Sequence, residues 1–474
     1  MKRNHFILFL LAIAAAVGSP ARAYAASGAP HIDGTGISLL WVLPFAGILL
    51  SIAVFPLVLP RLWHHHYGKI SLFWGLLFIT LFTLNFGWST SVYYVLEVYL
   101  LEFIPFIMLL LALFTVSGGI HLRGALVGTP GVNTLILLLG TVLASWMGTT
   151  GAAMLLIRPL IRANEQRTRK THIIVFFIFL VANIGGSLTP IGDPPLFLGF
   201  LKGVSFFWTT RYLLKEMVIA AAILIVLFYI IDTILYRRET VRPEPARGGG
   251  KITIEGKANF ILLGAVVGAV ITSSLDLGTA FTLHHVPVPA ASVMQVALLL
   301  VITAVSIKIT KKEVREANEF SWEPIREVAK LFATIFITMV TPIAMLKAGA
   351  DGPLGFVIRS VVDGNGTFIN ANFFWATGIL SSFLDNAPTY VVFFETAGGN
   401  AADLMTKYAD TLVAISCGAV FMGANTYIGN APNFMVKSIA EERGIAMPSF
   451  FGYILKYTIP ILIPIFIVLT LLFF

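Results

Sequence analysis

Long apolar runs alternate along this chain with short polar and basic segments, the pattern of membrane-spanning helices joined by loops. Past residue 36 the runs predict ten spans, at about 37–59, 70–88, 98–118, 171–203, 214–236, 258–274, 290–308, 328–347, 408–440 and 449–474. Two further apolar stretches, 131–158 and 372–396, have polar and glycine breaks in their middles and read as re-entrant hairpins. With the start of the first span outside, the loops 60–69, 119–130, 159–170, 237–257, 309–327 and 441–448 are cytoplasmic, and each holds Lys or Arg. The outside loops are poor in both: 275–289 has none and 348–371 has Arg359 alone. This positive-inside bias requires 131–158 to turn back, because a single crossing would carry the basic loop 159–170 outside.

The polar interruptions repeat. Ile191-Gly192-Asp193-Pro194-Pro195 returns 237 residues later as Ile428-Gly429-Asn430-Ala431-Pro432, and the same shift carries Gly186 onto Gly423, Thr189 onto Thr426 and Phe197 onto Phe434. It also carries the hairpin tip Ser145-Trp146-Met147-Gly148-Thr149 onto Ser382-Phe383-Leu384-Asp385-Asn386. The chain therefore divides into a first repeat over 37–236, a linker over 237–257 and a second repeat over 258–474. The linker's Pro243, Pro245 and Gly248-Gly249-Gly250 mark it as flexible. Each half holds five spans and one hairpin, and five is odd, so the second half enters from the opposite face and the repeats are inverted. Paired breaks at corresponding places in two halves point to the central site of a secondary transporter.

Composition supports the class. The chain has 474 residues, 57% hydrophobic and 12% charged, with a mean hydropathy of +0.87, so the expected fold is an all-α polytopic membrane protein. One cysteine excludes a disulfide framework or a cysteine-built metal site, and Cys417 reads as a small core residue. The net charge of +8 lies in loops, which fits membrane topology and not nucleic-acid binding. Lys2 and Arg3 before Phe6–Val17, with small residues at Ala21, Ala23 and Ala25, predict a removable signal peptide over 1–25. Its apolar core of about 12 residues is short of the ~20 that a span needs.

Chemistry concentrates at the breaks. Glycine permits close approach and proline removes amide donors, so carbonyls and the hydroxyls of Ser187 and Thr189 are free to face a dehydrated cation. The second break offers Asn425, Thr426 and Asn430. Asp193 and Asn430 each precede a helix start and also read as N-caps. Asp385 sits in an apolar hairpin beside an amide, a proline and hydroxyls, and a carboxylate at membrane depth is a candidate for function. Its counterpart tip, Gly148-Thr149-Thr150, has no carboxylate, as suits one principal proton-exchanging group. Inward half-helix N-termini favour an anion, whereas Asp193 and Asp385 in one cavity offset that field and favour a cation or proton. Glu102, near the outer end of the third span, is a candidate for a proton path, with an interfacial position as the simpler reading. Asp232 and Lys347 read as snorkelling residues near span ends, and His64-His65-His66 as a solvated loop.

These motifs, Ser-Phe-Leu-Asp-Asn-Ala-Pro at 382–388 and Thr-Pro-Ile-Gly-Asp-Pro-Pro at 189–195, resemble the ion transporter superfamily. Within it they are similar to the NhaD-like sodium/proton antiporters and the citrate-transporter-like proteins. The resemblance implies a homodimer whose mobile portion shifts the site past a scaffold, elevator fashion, with tips and broken helices binding the ion. Asp385 and Asn386 match the Asp-Asn-x-Pro element of the antiporters. Dicarboxylate symporters of the superfamily use Ser-Asn-Thr at both tips; neither tip has it here, which counts against carboxylate transport. The expected function is exchange of Na⁺ or Li⁺ for protons across a bacterial inner membrane, with no cofactor beyond the transported cation. Asp385 is expected to be the main carboxylate and Asp193 a second, with oxygens from Asn386, Thr149, Thr150, Ser187, Thr189, Asn425 and Thr426. Sodium is placed among Asp385, Asn386, Thr149, Thr189 and Thr426, and Asp385→Asn is expected to abolish exchange. The alternatives are a Na⁺- or H⁺-coupled citrate or dicarboxylate carrier and a metalloid efflux permease. A membrane enzyme would need a catalytic cluster that the sequence does not display, and a channel would conduct without coupling.

Overall fold

Hydrocarbon offers no partner to backbone polar groups, so a chain this apolar satisfies them within helices. The structure, a computed structural model, describes residues 30, 32–124, 126–239 and 253–474; the expected signal peptide and residues 240–252 of the linker lie outside the described residues. Nine of the described helices are long and apolar enough to cross a membrane, and the protein is an all-α polytopic membrane protein.

In chain order the first half contains α1 (Leu39–Val58), α2 (Pro60–Phe86) and α3 (Trp88–Ser117), which widens into a π-helical segment at Val98–Phe103. It continues with α4 (Pro130–Met147), α5 (Thr149–Ala163), α6 (Thr171–Leu180), α7 (Pro194–Leu201) and α8 (Leu214–Arg237). The second half contains α9 (Ala258–Thr272), α10 (Ala290–Ile309), α11 (Glu323–Lys347), α12 (Asn370–Phe383), α13 (Asn386–Thr396), α14 (Ala409–Met422), α15 (Ala431–Glu442) and α16 (Phe450–Phe473). The segment 60–69, read as a loop, is helical: Pro60 suits a first helical position, nothing after it breaks the helix, and α2 runs on beyond the apolar stretch. His64, His65 and His66 are exposed on it. The spans expected over 258–274 and 408–440 are shorter apolar helices, the second ending in a break after Met422.

Two small antiparallel sheets complete the fold among the described residues. Thr253–Glu255, at the end of the expected linker, pairs with His121–Arg123, so that part of the linker is ordered against the first half. Thr279–Leu283 pairs with Val286–Pro289, and the turn between them holds His284 and His285 at positive φ.

Packing separates two bodies. Helices α1, α2, α3, α9, α10 and α11 pack on one another and form a scaffold. The core is built from α4 to α8 with α12 to α16: α4 folds back on α5, α12 on α13, α13 on α7, and α15 on α5 and α6. The bodies touch where α3 and α11 meet α5, α7 and α13. In the stretch Thr171–Leu188, which runs into the first break, 89% of the most apolar window is buried, against 22% in α2. Irregular backbone at membrane depth is thus enclosed in protein, as its unpaired groups require.

Candidate functional site

Four helices begin at the centre of the core. Both hairpins turn there: α4 ends at Met147, Gly148 follows it with a φ of +79° that glycine tolerates, and α5 starts at Thr149. In the second hairpin α12 ends at Phe383 and α13 starts at Asn386. The breaks supply the other two starts, α7 after Asp193 with Pro194 at its first position and α15 after Asn430 with Pro432 in its first turn.

The expected capping of α7 and α15 is not what these side chains do: neither Asp193 nor Asn430 bonds an amide of its own helix. Asp193, 1% exposed, accepts instead from three side chains. Thr149 Oγ1 donates to its Oδ1 at 3.0 Å, Asn430 Nδ2 to Oδ1 at 3.0 Å and Asn386 Nδ2 to Oδ2 at 2.6 Å. One residue from each helix start therefore meets at this carboxylate. The donors leave lone-pair capacity on the carboxylate. Asn386 Oδ1 beside it is buried without a hydrogen-bond partner, as is Asn425 Oδ1 at the second break. A buried acceptor left unpaired is costly, and a cation satisfies it.

Asp385, expected at the centre, is half-buried and accepts from Ala387 N at 3.1 Å, which makes it the N-cap of α13. It places Asn386 and does not itself receive the converging donors. Thr150 lines the cavity described below. Other expected oxygens hold the breaks in shape: Ser187 donates to Ile184 O at 2.9 Å, and Thr189 donates to Ser145 O. Thr426 donates to Ser382 O at 2.5 Å while its hydroxyl accepts from Ile428 N and Gly429 N, so that oxygen is fully engaged and is not a free ligand. Asn425 Nδ2 donates to Ser382 Oγ at 2.9 Å. Glu102 lies away from this centre, 3.8 Å from Lys202.

Three contributions escaped the sequence reading. Asn183 donates to Asn433 Oδ1 at 2.7 Å and accepts from Asn430 at 3.3 Å, which ties the two breaks directly together. Asn433 in turn donates to the carbonyls of Gly423 and Thr426. The third is Asp232, which does not snorkel. It is fully buried on α8 and pairs with Arg167 at 2.6 Å, His172 at 2.8 Å and Asn133 at 3.0 Å, fastening the base of the first hairpin.

A cavity of about 110 Å³ opens beside Asp193, where core meets scaffold. Gly148, Thr149, Thr150, Asp193, Pro432 and Met435 line it from the core, and Leu110, Phe114, Pro324 and Ile325 from the scaffold. None of the residues lining it is basic. A larger groove of about 780 Å³ between α1 and α2 is lined chiefly by apolar side chains and holds no break residue.

Comparison with known proteins finds transporters. A family model described as "Putative citrate transport" matches residues 34–474. An uncharacterized transporter from Synechocystis is 25% identical over 337 residues, which cover 65% of this chain and 69% of that protein. Uncharacterized transporters from Mycobacterium bovis and Mycobacterium tuberculosis are each 25% identical over 330 residues, 67% of this chain and 71% of theirs.

Proposed function

The chain belongs to that citrate-transport family and is a transporter, and from this premise we propose that it exchanges Na⁺ or Li⁺ for protons across the bacterial inner membrane. The observation that carries the proposal is one buried carboxylate, Asp193, at the meeting point of four helix starts, beside a cavity with no basic lining residue. Asp193 would take H⁺ and the metal cation in turn. Asn386 Oδ1 and the Thr149 and Thr150 hydroxyls would supply the neutral oxygens that a small hard cation needs. Competition of two cations for one carboxylate is sufficient for antiport, because the core then crosses loaded with one or the other.

A second reading is a coupled carrier of citrate or a dicarboxylate. It is favoured by the family's description and by four inward helix N-termini, each a partial positive charge. Against it, the cavity of about 110 Å³ is small beside the roughly 300 Å³ at the lower end of organic ligand sites. A polycarboxylate would also meet Asp193 with no basic side chain to offset it. Proton flux into proteoliposomes distinguishes the two. The proposal expects Na⁺ or Li⁺ to dissipate a preset proton gradient and citrate to leave it unchanged; citrate uptake with silence to cations would overturn it.

A further inference from the structure

The shift of 237 residues that relates the breaks also carries Arg158 onto Glu395. Each lies nine residues beyond its hairpin's first helical residue, Thr149 or Asn386, so each stands roughly 13 Å along the return arm from its tip at about 1.5 Å per residue. The two positions bear opposite charges, and both reach the scaffold. Arg158 Nη2 pairs with Glu319 Oε2 at 3.0 Å, and Arg443, which follows α15, pairs with Glu319 Oε1 at 2.6 Å. On the other hairpin Glu395 Oε1 pairs with Lys202 at 2.8 Å, Lys202 lies 3.8 Å from Glu102 on α3, and Glu395 Oε2 lies 3.8 Å from Lys347.

The scaffold partners Glu319 and Lys347 flank α11, one just before Glu323 and one at its last residue. A helix of 25 residues is about 37 Å long, the depth of a membrane. The two clusters therefore sit at opposite ends of one membrane-length helix, and each joins core to scaffold. Sliding the core along α11 by one helical turn, about 5.4 Å, would part both sets of ions.

We propose that these clusters are a pair of latches, Arg158 and Arg443 on Glu319 at one membrane face and Glu395 with Lys202 on Lys347 and Glu102 at the other, that hold the core at one end of its travel. The proposal rests on the reading of the chain as an alternating-access carrier and is independent of which ion it moves. Both latches are closed in this conformation, so opening either one shifts the resting population away from it, and the two shifts have the same direction.

The test is sided labelling. With Cys417 replaced by serine, Met435→Cys places one thiol in the cavity wall, and a membrane-impermeant maleimide is applied to right-side-out and inside-out vesicles. Glu319→Gln and Glu395→Gln should each change the ratio of labelling from the two sides in the same direction, Glu319→Gln by about fivefold, the size of a good partly exposed ion pair, and Glu395→Gln by less, since its link across to Lys347 is 3.8 Å long. Adding Arg158→Gln to Glu319→Gln should shift it no further, since the pair is already open. Should Glu319→Gln fail to fold, Arg443→Gln removes one of the two Glu319 pairs at a residue whose side chain is 52% exposed. If the background protein changes its ratio under an imposed Na⁺ or pH gradient while the latch variants match it, the latches are refuted and the carrier reading stands. A ratio fixed in every variant under every gradient would refute alternating access, and the latches with it.

Discussion

Thr189 and Thr426 each donate their hydroxyl to the carbonyl of the hairpin serine beside them, Ser145 and Ser382, and Gly192 and Gly429 each press against the carbonyl of their own break's first paired glycine, Gly186 and Gly423. Ser145 Oγ donates to Gly185 O as Ser382 Oγ donates to Met422 O. A few residues away the correspondence ends. The offset carries Gly148 onto Asp385, Thr149 onto Asn386, Asp193 onto Asn430 and Arg158 onto Glu395. The shared positions use backbone groups and small side chains to build two matching breaks. The unshared ones set the charge: one half brings the central carboxylate, and the other brings the two amides that hold it. Duplication makes the cavity, and divergence decides what occupies it.

Breaking the shared part should cost most. A Cβ on Gly192 would stand 2.2 Å from Gly186 O, and one on Gly429 would stand 2.5 Å from Gly423 O. Neither backbone oxygen can swing aside, so Gly192→Ala and Gly429→Ala should each destabilise the protein by about 3 kcal/mol or more, read as a loss of melting temperature and of folded yield. A mild effect in one half alone would show that the two breaks are not equivalent.

Next comes the unshared part. Asp193→Asn removes the one carboxylate to which three donors point and leaves a neutral amide that holds neither proton nor cation, so exchange should be lost while the protein still folds. Asp385→Asn keeps a good cap on α13, so stability should change by less than about 0.5 kcal/mol and some exchange should survive. Transport assays on the two variants side by side rank the aspartates.

That ranking shows where the sequence is opaque. Asp193 before Pro194 and Asp385 before Asn386-Ala387-Pro388 carry the same helix-start signature, and only packing across the core reveals that one caps its helix while the other faces three partners. The spans, the hairpin turns and the breaks were legible because glycine, proline and Lys/Arg bias act locally. Asn183 and Asn433 were not, because the offset carries them onto apolar residues, Val420 and Leu196, and comparison of the halves passes over them. The Asp232–Arg167 pair was hidden for another reason: Asp232 lies on α8 and Arg167 in the loop between α5 and α6, and proximity to a span end looks like snorkelling.

Smaller effects sharpen the comparison. Thr189→Val and Thr426→Val each lose one hydrogen bond to a serine carbonyl, about 1 kcal/mol. Thr426→Val should cost more, since its hydroxyl also accepts from two amides, and paired thermal denaturation would read the difference. The smallest effect is that of pH on the Glu319 latch. Burial pushes the Glu319 carboxyl up, but its bond and attraction to Arg158 and the charge of Arg443 prevail and hold it below its ordinary 4.5. A depressed carboxylate contributes above its ordinary value and fails only as pH falls through the lowered one. The difference in labelling ratio between wild type and Glu319→Gln should therefore hold constant across the neutral range, whatever the ratio itself does, and shrink only below about pH 4.5.

The central claim is that Asp193 holds either a proton or the cation. Purified protein in a weakly buffered solution with a pH indicator tests it when NaCl is added. The account predicts proton release from the wild type and from Asp385→Asn, and none from Asp193→Asn. Release that persists in Asp193→Asn and disappears in Asp385→Asn would contradict it and return the exchanging carboxylate to the hairpin tip.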